Sequence, residues 1–133
     1  MGDWVDGFIE AWNGHDASGV TSFMTEDVKY LHSTETGWMT WEGREQVQGL
    51  IAWLNANWSS DYALSKTFSL CTEHGFAIEY VEAGTADLGE NPPKRPFRMN
   101  SAFVGELRGG KISRITDYAD MGSYNLQVHQ PVQ

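Results

Sequence analysis

The feature that most constrains this chain is a change of period at Asp61. Before it, apolar residues recur every three or four positions: Trp4, Val5, Phe8, Ile9 and Trp12, then Val47, Leu50, Ile51 and Leu54. After it they recur at every second position as far as Ala119. The first period buries one stripe of a helix and the second buries one face of a strand, so helices precede a run of strands joined by turns. Such segregation predicts an α+β fold with a mostly antiparallel sheet, because parallel strands need a crossover helix between each pair.

At 133 residues the chain has the length of one domain with a sizeable core. The lone Cys71 excludes an intrachain disulfide and points to a reducing compartment. No apolar run approaches the roughly 18 residues of a membrane span. The first residues also carry Asp3, Asp6 and Glu10 where a signal peptide needs basic charge. A cytoplasmic location with no membrane partner is expected. A formal charge of -9 repels phosphate backbones and argues against nucleic acid. Aromatic residues make up 13% of the chain, more than packing alone requires, and rings also wall apolar pockets for small molecules.

Asp3 is placed to cap an opening helix that stops at Asn13-Gly14. Asp16 can cap a shorter helix carrying Val20, Phe23 and Met24, which ends in the polar turn Thr25-Glu26-Asp27. A strand follows with Val28, Tyr30 and His32 on one face. Ser33 to Gly43 reads as a loop or irregular hairpin, and Arg44 to Asn57 as a third helix. Strands are expected near Tyr62 to Thr72, Gly75 to Gly84, Pro96 to Leu107 and Lys111 to Ala119. Turns fall at Glu73-His74 and Arg108-Gly109-Gly110, and Ala86 to Lys94 is the longest loop and the expected mobile one.

Several strings and their order resemble a known superfamily. They are Ala11-Trp12-Asn13 with His15-Asp16, Phe23-Met24-Thr25-Glu26-Asp27-Val28, Gly43-Arg44-Glu45, Gly84-Thr85, and Gly110-Lys111-Ile112 through Asp117-Tyr118-Ala119-Asp120. From about Trp4 to Tyr124 the chain resembles the SnoaL-like branch of the nuclear transport factor 2-like superfamily. That branch includes polyketide cyclases and is related to ketosteroid isomerases and limonene epoxide hydrolases. The resemblance implies a conical barrel, a strongly bent sheet wrapped around the three helices, with a deep pocket at its open end. It also implies that two copies pair through the open sheet face, where outward positions such as Phe68 and Val104 would lie. Superfamily members use the pocket for several chemistries and for plain binding, so function has to be argued from the site.

Asp117 shares a strand face with Ser113, Ile115 and Ala119, where burial would raise its pKa and suit it to proton transfer; accepting hydrogen bonds from a neighbouring ring or loop amide is the alternative role. By resemblance it matches an active-site aspartate of epoxide hydrolases of this fold. The arginine that those enzymes place between two carboxylates has no counterpart, which disfavours epoxide hydrolysis. Ketosteroid isomerases carry their basic aspartate at about the position of His32, and an imidazole titrates near neutrality. Tyr30 and Tyr80 could each present a phenol to a developing oxyanion. On the strand of Tyr80 the inward set is Phe76, Ile78, Tyr80 and Glu82, and a slip of one residue would exchange Glu82 for Glu79.

Trp12, Trp38, Trp41 and Trp53 are candidates for the walls or mouth of the pocket, with Met99, Ser101 and Phe103 as an alternating lining and Ile115 beside Asp117. His15, His32, His74 and His129 are scattered, so no metal is expected, and no glycine loop has phosphate-cradling spacing. The expectation is therefore cofactor-independent acid/base chemistry of cyclase, isomerase or dehydratase type. His32, Asp117 and Tyr30 would act on a small apolar molecule carrying oxygen, such as a polyketide- or steroid-like one. The alternative is a noncatalytic module that holds such a ligand.

Overall fold

A computed structural model describes residues 3–57, 60–86 and 95–128. The side chain of Asp3, most of the Ala86 to Lys94 loop and His129 lie outside the described part. Helix α1 (Asp3–Asn13) buries Val5, Phe8, Ile9 and Trp12, the stripe that its period anticipates. Asn13 then turns outward from the helix end to clasp the backbone of Leu64 from both sides, at 2.9 and 2.7 Å. His15 takes a positive φ of 53° to close the end, and Asp16 caps α2 (Ala17–Thr21) by accepting from Gly19 N.

Helix α2 is shorter than expected, because β6 claims the residues that follow it. Phe23 O accepts from Ile112 N at 2.8 Å and Met24 sits opposite Ile112, so β1 begins at once (Met24–Ser33). The expected turn Thr25-Glu26-Asp27 is instead part of β1, within an irregular stretch of its register. The segment after it is a hairpin: Thr34 N donates to Gly37 O, and β2 (Trp38–Glu42) returns antiparallel to β1. Helix α3 (Arg44–Asn57) starts after Gly43 and buries Val47 and Ile51.

Four strands then meander as expected: β3 (Ala63–Cys71), β4 (Gly75–Ala86), β5 (Arg95–Arg108) and β6 (Lys111–Ala119). The β5–β6 turn rests on Gly109 and Gly110 at φ of 60° and 78°, the left-handed pair that a two-residue hairpin needs. The sheet order is β2-β1-β6-β5-β4-β3, and all pairs are antiparallel except β1 with β6. Register irregularities in three pairs bend the sheet into the expected cone.

A fourth helix, α4 (Met121–Val128), was not foreseen. Asp120 caps it by accepting from Ser123 N, and Gln127 ties it to the backbone of Arg98 through two hydrogen bonds. On the outer sheet surface Phe68, Leu70, Val104 and Tyr118 are exposed. No helix among the described residues is long and apolar enough to cross a membrane.

Candidate active site

Residues paired across the inner face of the sheet form rows. Tyr30, Ile115, Gly105 and Phe76 make one row across β1, β6, β5 and β4. His32, Asp117, Phe103 and Ile78 make the next, followed by Ala119, Ser101 and Tyr80, and then by Met99, Glu82 and Leu64. The first row is packed solid. A Cβ on Gly105 would lie 2.8 Å from the Phe76 ring and 2.0 Å from Arg114 O, so the ring occupies the space that a side chain there would need. Trp4 packs edge-on against Phe76, and Phe8 against Phe103, which fills that end of the cone.

Beyond Phe103 the helices and sheet diverge around a cavity of about 410 Å³, within the range of small-molecule sites. Its walls are Trp12, Trp41, Trp53, Leu50, Leu54, Leu64, Met99, Phe103 and Met121, and its polar groups are Tyr30, His32, Tyr80, Glu82, Asp117, Asn57 and Tyr124. No Lys or Arg among the described residues lines it. A shallower depression of about 550 Å³ beside Glu26, Arg44 and Gln48 shares none of these residues.

Asp117 is the hub of the polar groups. Tyr80 donates to its Oδ1 at 2.7 Å, Tyr30 donates to its Oδ2 at 3.0 Å, and His32 Nε2 stands 3.6 Å from Oδ2. Burial raises the pKa of Asp117, while a charged His32 and the two phenols oppose that rise. Both phenols are pushed well above their usual range, by burial first and then by the Asp117 charge, so they remain donors. His32 Nδ1 lies 2.7 Å from Ser33 O. A carbonyl only accepts, so Nδ1 carries the hydrogen of the neutral ring and Nε2 keeps its lone pair.

Glu82 behaves differently. Its carboxyl has no hydrogen bond or ion pair among the described residues, and burial followed by the Asp117 charge pushes its pKa up to about 8. At neutral pH it is mainly a carboxylic acid. Trp12 Nε1, on another ring of the wall, is likewise buried without a partner.

Tyr30, His32, Tyr80, Glu82, Asp117, Trp12, Met99 and Phe103 thus gather around one cavity, together with Trp41 and Trp53. The register puts Glu82 inside and leaves Glu79 exposed. Three expectations are corrected. Trp38 is 53% exposed and packs edge-on against Tyr118 on the outer face, because Met39 and Trp41, not Trp38, alternate inward on β2. Ser101 is buried on the inner face without bordering the cavity. Ile115 is fully buried one row toward the packed end.

The O–H groups of Tyr30 and Tyr80 are directed at Asp117, not at a ligand oxygen. Met39, Leu50, Leu54, Asn57, Leu64, Met121 and Tyr124 were missed. The apolar period of α3 already marked Leu50 and Leu54, and the Asp120 cap followed by Met121, Tyr124 and Val128 at helical spacing could have marked α4. Among the described residues no group of three metal-binding side chains converges.

Comparison with known proteins agrees with this architecture. A protein of Catenulispora acidiphila with a ketosteroid isomerase-like fold, solved in complex with trimethylamine, is 25% identical, with 96% of this chain and 92% of its own covered at a TM-score of 0.80. A phenazine biosynthesis-related protein of Pseudomonas aeruginosa is 18% identical, with 97% and 86% covered at 0.79. A candidate polyketide cyclase of Xanthomonas campestris is 21% identical, with 92% of each chain covered at 0.77. No relative with a curated description matches the sequence. The family model for the SnoaL-like domain matches residues 5–115, most of the chain and all of the sheet but the end of β6, and the chain belongs to that family.

Proposed function

We propose that this chain is a cofactor-independent acid/base enzyme, of cyclase, isomerase or dehydratase type, acting on a small, largely apolar molecule that carries oxygen. The observation that carries the reading is the pairing of His32 and Asp117 at the cavity wall, with Nδ1 committed to Ser33 O and Nε2 3.6 Å from the carboxylate. His32 Nε2 takes a proton from a carbon made acidic by a neighbouring carbonyl. The imidazolium so formed faces Asp117, where opposite unit charges near 4 Å attract by about 4 kcal/mol at an effective dielectric of 20. The proton then returns to a different atom of the substrate, leaving the enzyme unchanged. Tyr30 and Tyr80 are positioning residues that hold the carboxylate toward the imidazole.

The aromatic walls support a flat ligand of polyketide or steroid type. The test is turnover of a panel of polyketide-like, steroid-like and enone molecules, read by mass spectrometry. His32→Ala and Asp117→Asn should each lower turnover by about 10²- to 10⁴-fold, the usual weight of general acid/base catalysis. Undiminished turnover in both variants overturns the proposal, and a ligand that is bound but recovered unchanged makes the chain a binding module.

A further inference from the structure

Glu82 is the polar group of the cavity that the proton transfer above leaves unused. It sits on the inner face of β4 between Leu64 on β3 and Met99 on β5, two apolar neighbours that cannot receive its hydrogen. The titratable groups that face it from the surrounding elements are Asp117 on β6, Tyr30 and His32 on β1, Tyr80 on its own strand, Tyr62 before β3 and Tyr124 on α4. The β5 positions beside it and α3 contribute no cation to the wall. Both Asp117 oxygens are taken by phenols, and the Glu82 carboxyl and the Trp12 indole N–H have no hydrogen-bond partner among the described residues. A polar group that faces an apolar wall without a partner gains a hydrogen bond when a ligand atom supplies one.

We propose that Glu82, in its neutral form, donates a hydrogen bond to a carbonyl or similar oxygen of the ligand and makes the cavity select an uncharged ligand over an anionic one. This rests on the reading of the cavity as the functional site. An anionic ligand would meet the Asp117 carboxylate with no Lys or Arg among the described residues to receive it. A donor is needed for an oxygen ligand, and Glu82 supplies one below about pH 8 and loses it above, when repulsion between two carboxylates replaces it. Tyr62, pushed up to about 12, and the two phenols on Asp117, higher than usual, stay protonated through that range.

The experiment is equilibrium dialysis of the full chain with two probes of one shape, 2-acetylnaphthalene and 2-naphthoate, at pH 6 to 9. The ketone should bind at pH 7 at least tenfold more tightly than the carboxylate. Its affinity should fall about tenfold between pH 7 and pH 9, as linkage requires when only the protonated acid binds. Glu82→Gln, which keeps an N–H donor but does not titrate, should bind the ketone with a flat pH profile. A flat profile in the wild-type chain, a slope that survives in Glu82→Gln, no ketone binding at pH 7, or tighter binding of the carboxylate overturns the proposal. Turnover is not read, so such a result leaves the His32–Asp117 reaction standing. Conversely, full activity in the His32 and Asp117 variants would end that reaction without touching the binding result.

Discussion

At the packed end of the cone, Trp4, Phe8, Phe23 and Phe76 meet mostly edge to face, with centroids 5.1 to 6.4 Å apart, and the Trp4 indole N–H donates to Cys71 Sγ at its margin. At the open end the same sheet face presents Asp117, Glu82, His32 and two phenols, with Phe103 on the boundary stacked against Tyr80 at 4.6 Å. Rings without polar atoms can close on one another from any direction that fills space. Carboxyls and imidazoles cannot, because each needs a partner in a particular direction, so volume stays open around them. One sheet thus gathers its apolar packing at one end and its polar groups at the other.

The largest effect should come from the packed end. Phe8 is fully buried, and Phe8→Ala should cost about 3–5 kcal/mol in urea unfolding. A cost below about 1 kcal/mol would mean that this end is not where stability resides. Next comes Glu82, which in the folded chain keeps its proton up to about pH 8 against an ordinary value of 4.5. Between those values the native state holds a proton that the unfolded chain has released. The contribution of Glu82 to stability is therefore full below about pH 4.5 and is lost as pH rises to about 8, on the order of 4 to 5 kcal/mol. Glu82→Gln should remove that part of the slope, leaving the part due to Asp117, whose pKa is raised in the same direction. Identical slopes in the two proteins would erase the contrast between the ends. The smallest effect should be Trp38→Ala, on the outer face: about 1 kcal/mol or less, with ketone binding unchanged. Weaker binding would return that ring to the cavity.

Strand parity explains why much of this site was legible. Once Tyr30 and His32 are assigned to an inward face, and likewise Asp117 on its own strand, alternation leaves little choice. Glu82 against Glu79 is a question of register, and it is answered only by the unbroken pairing from Gly75 opposite Glu106 to Ala86 opposite Arg95. Trp38 escapes parity because Ser33 to Gly43 reads as a loop or irregular hairpin, to which no alternation applies. The tyrosine bonds to Asp117 join residues 87 and 37 positions apart, and nothing local in the sequence encodes them.

The one parallel seam, β1 against β6, sets the order in which this chain can fold. Hairpins from β3 to β6 close over short loops, whereas β1 must find a strand more than half the chain away, and long closures are entropically slower. His32 and Asp117 face each other across that seam. The pair is therefore assembled late: the step that seats the first strand against the last also brings the imidazole to its carboxylate, and a chain still emerging from the ribosome without β6 carries neither the seam nor the pair.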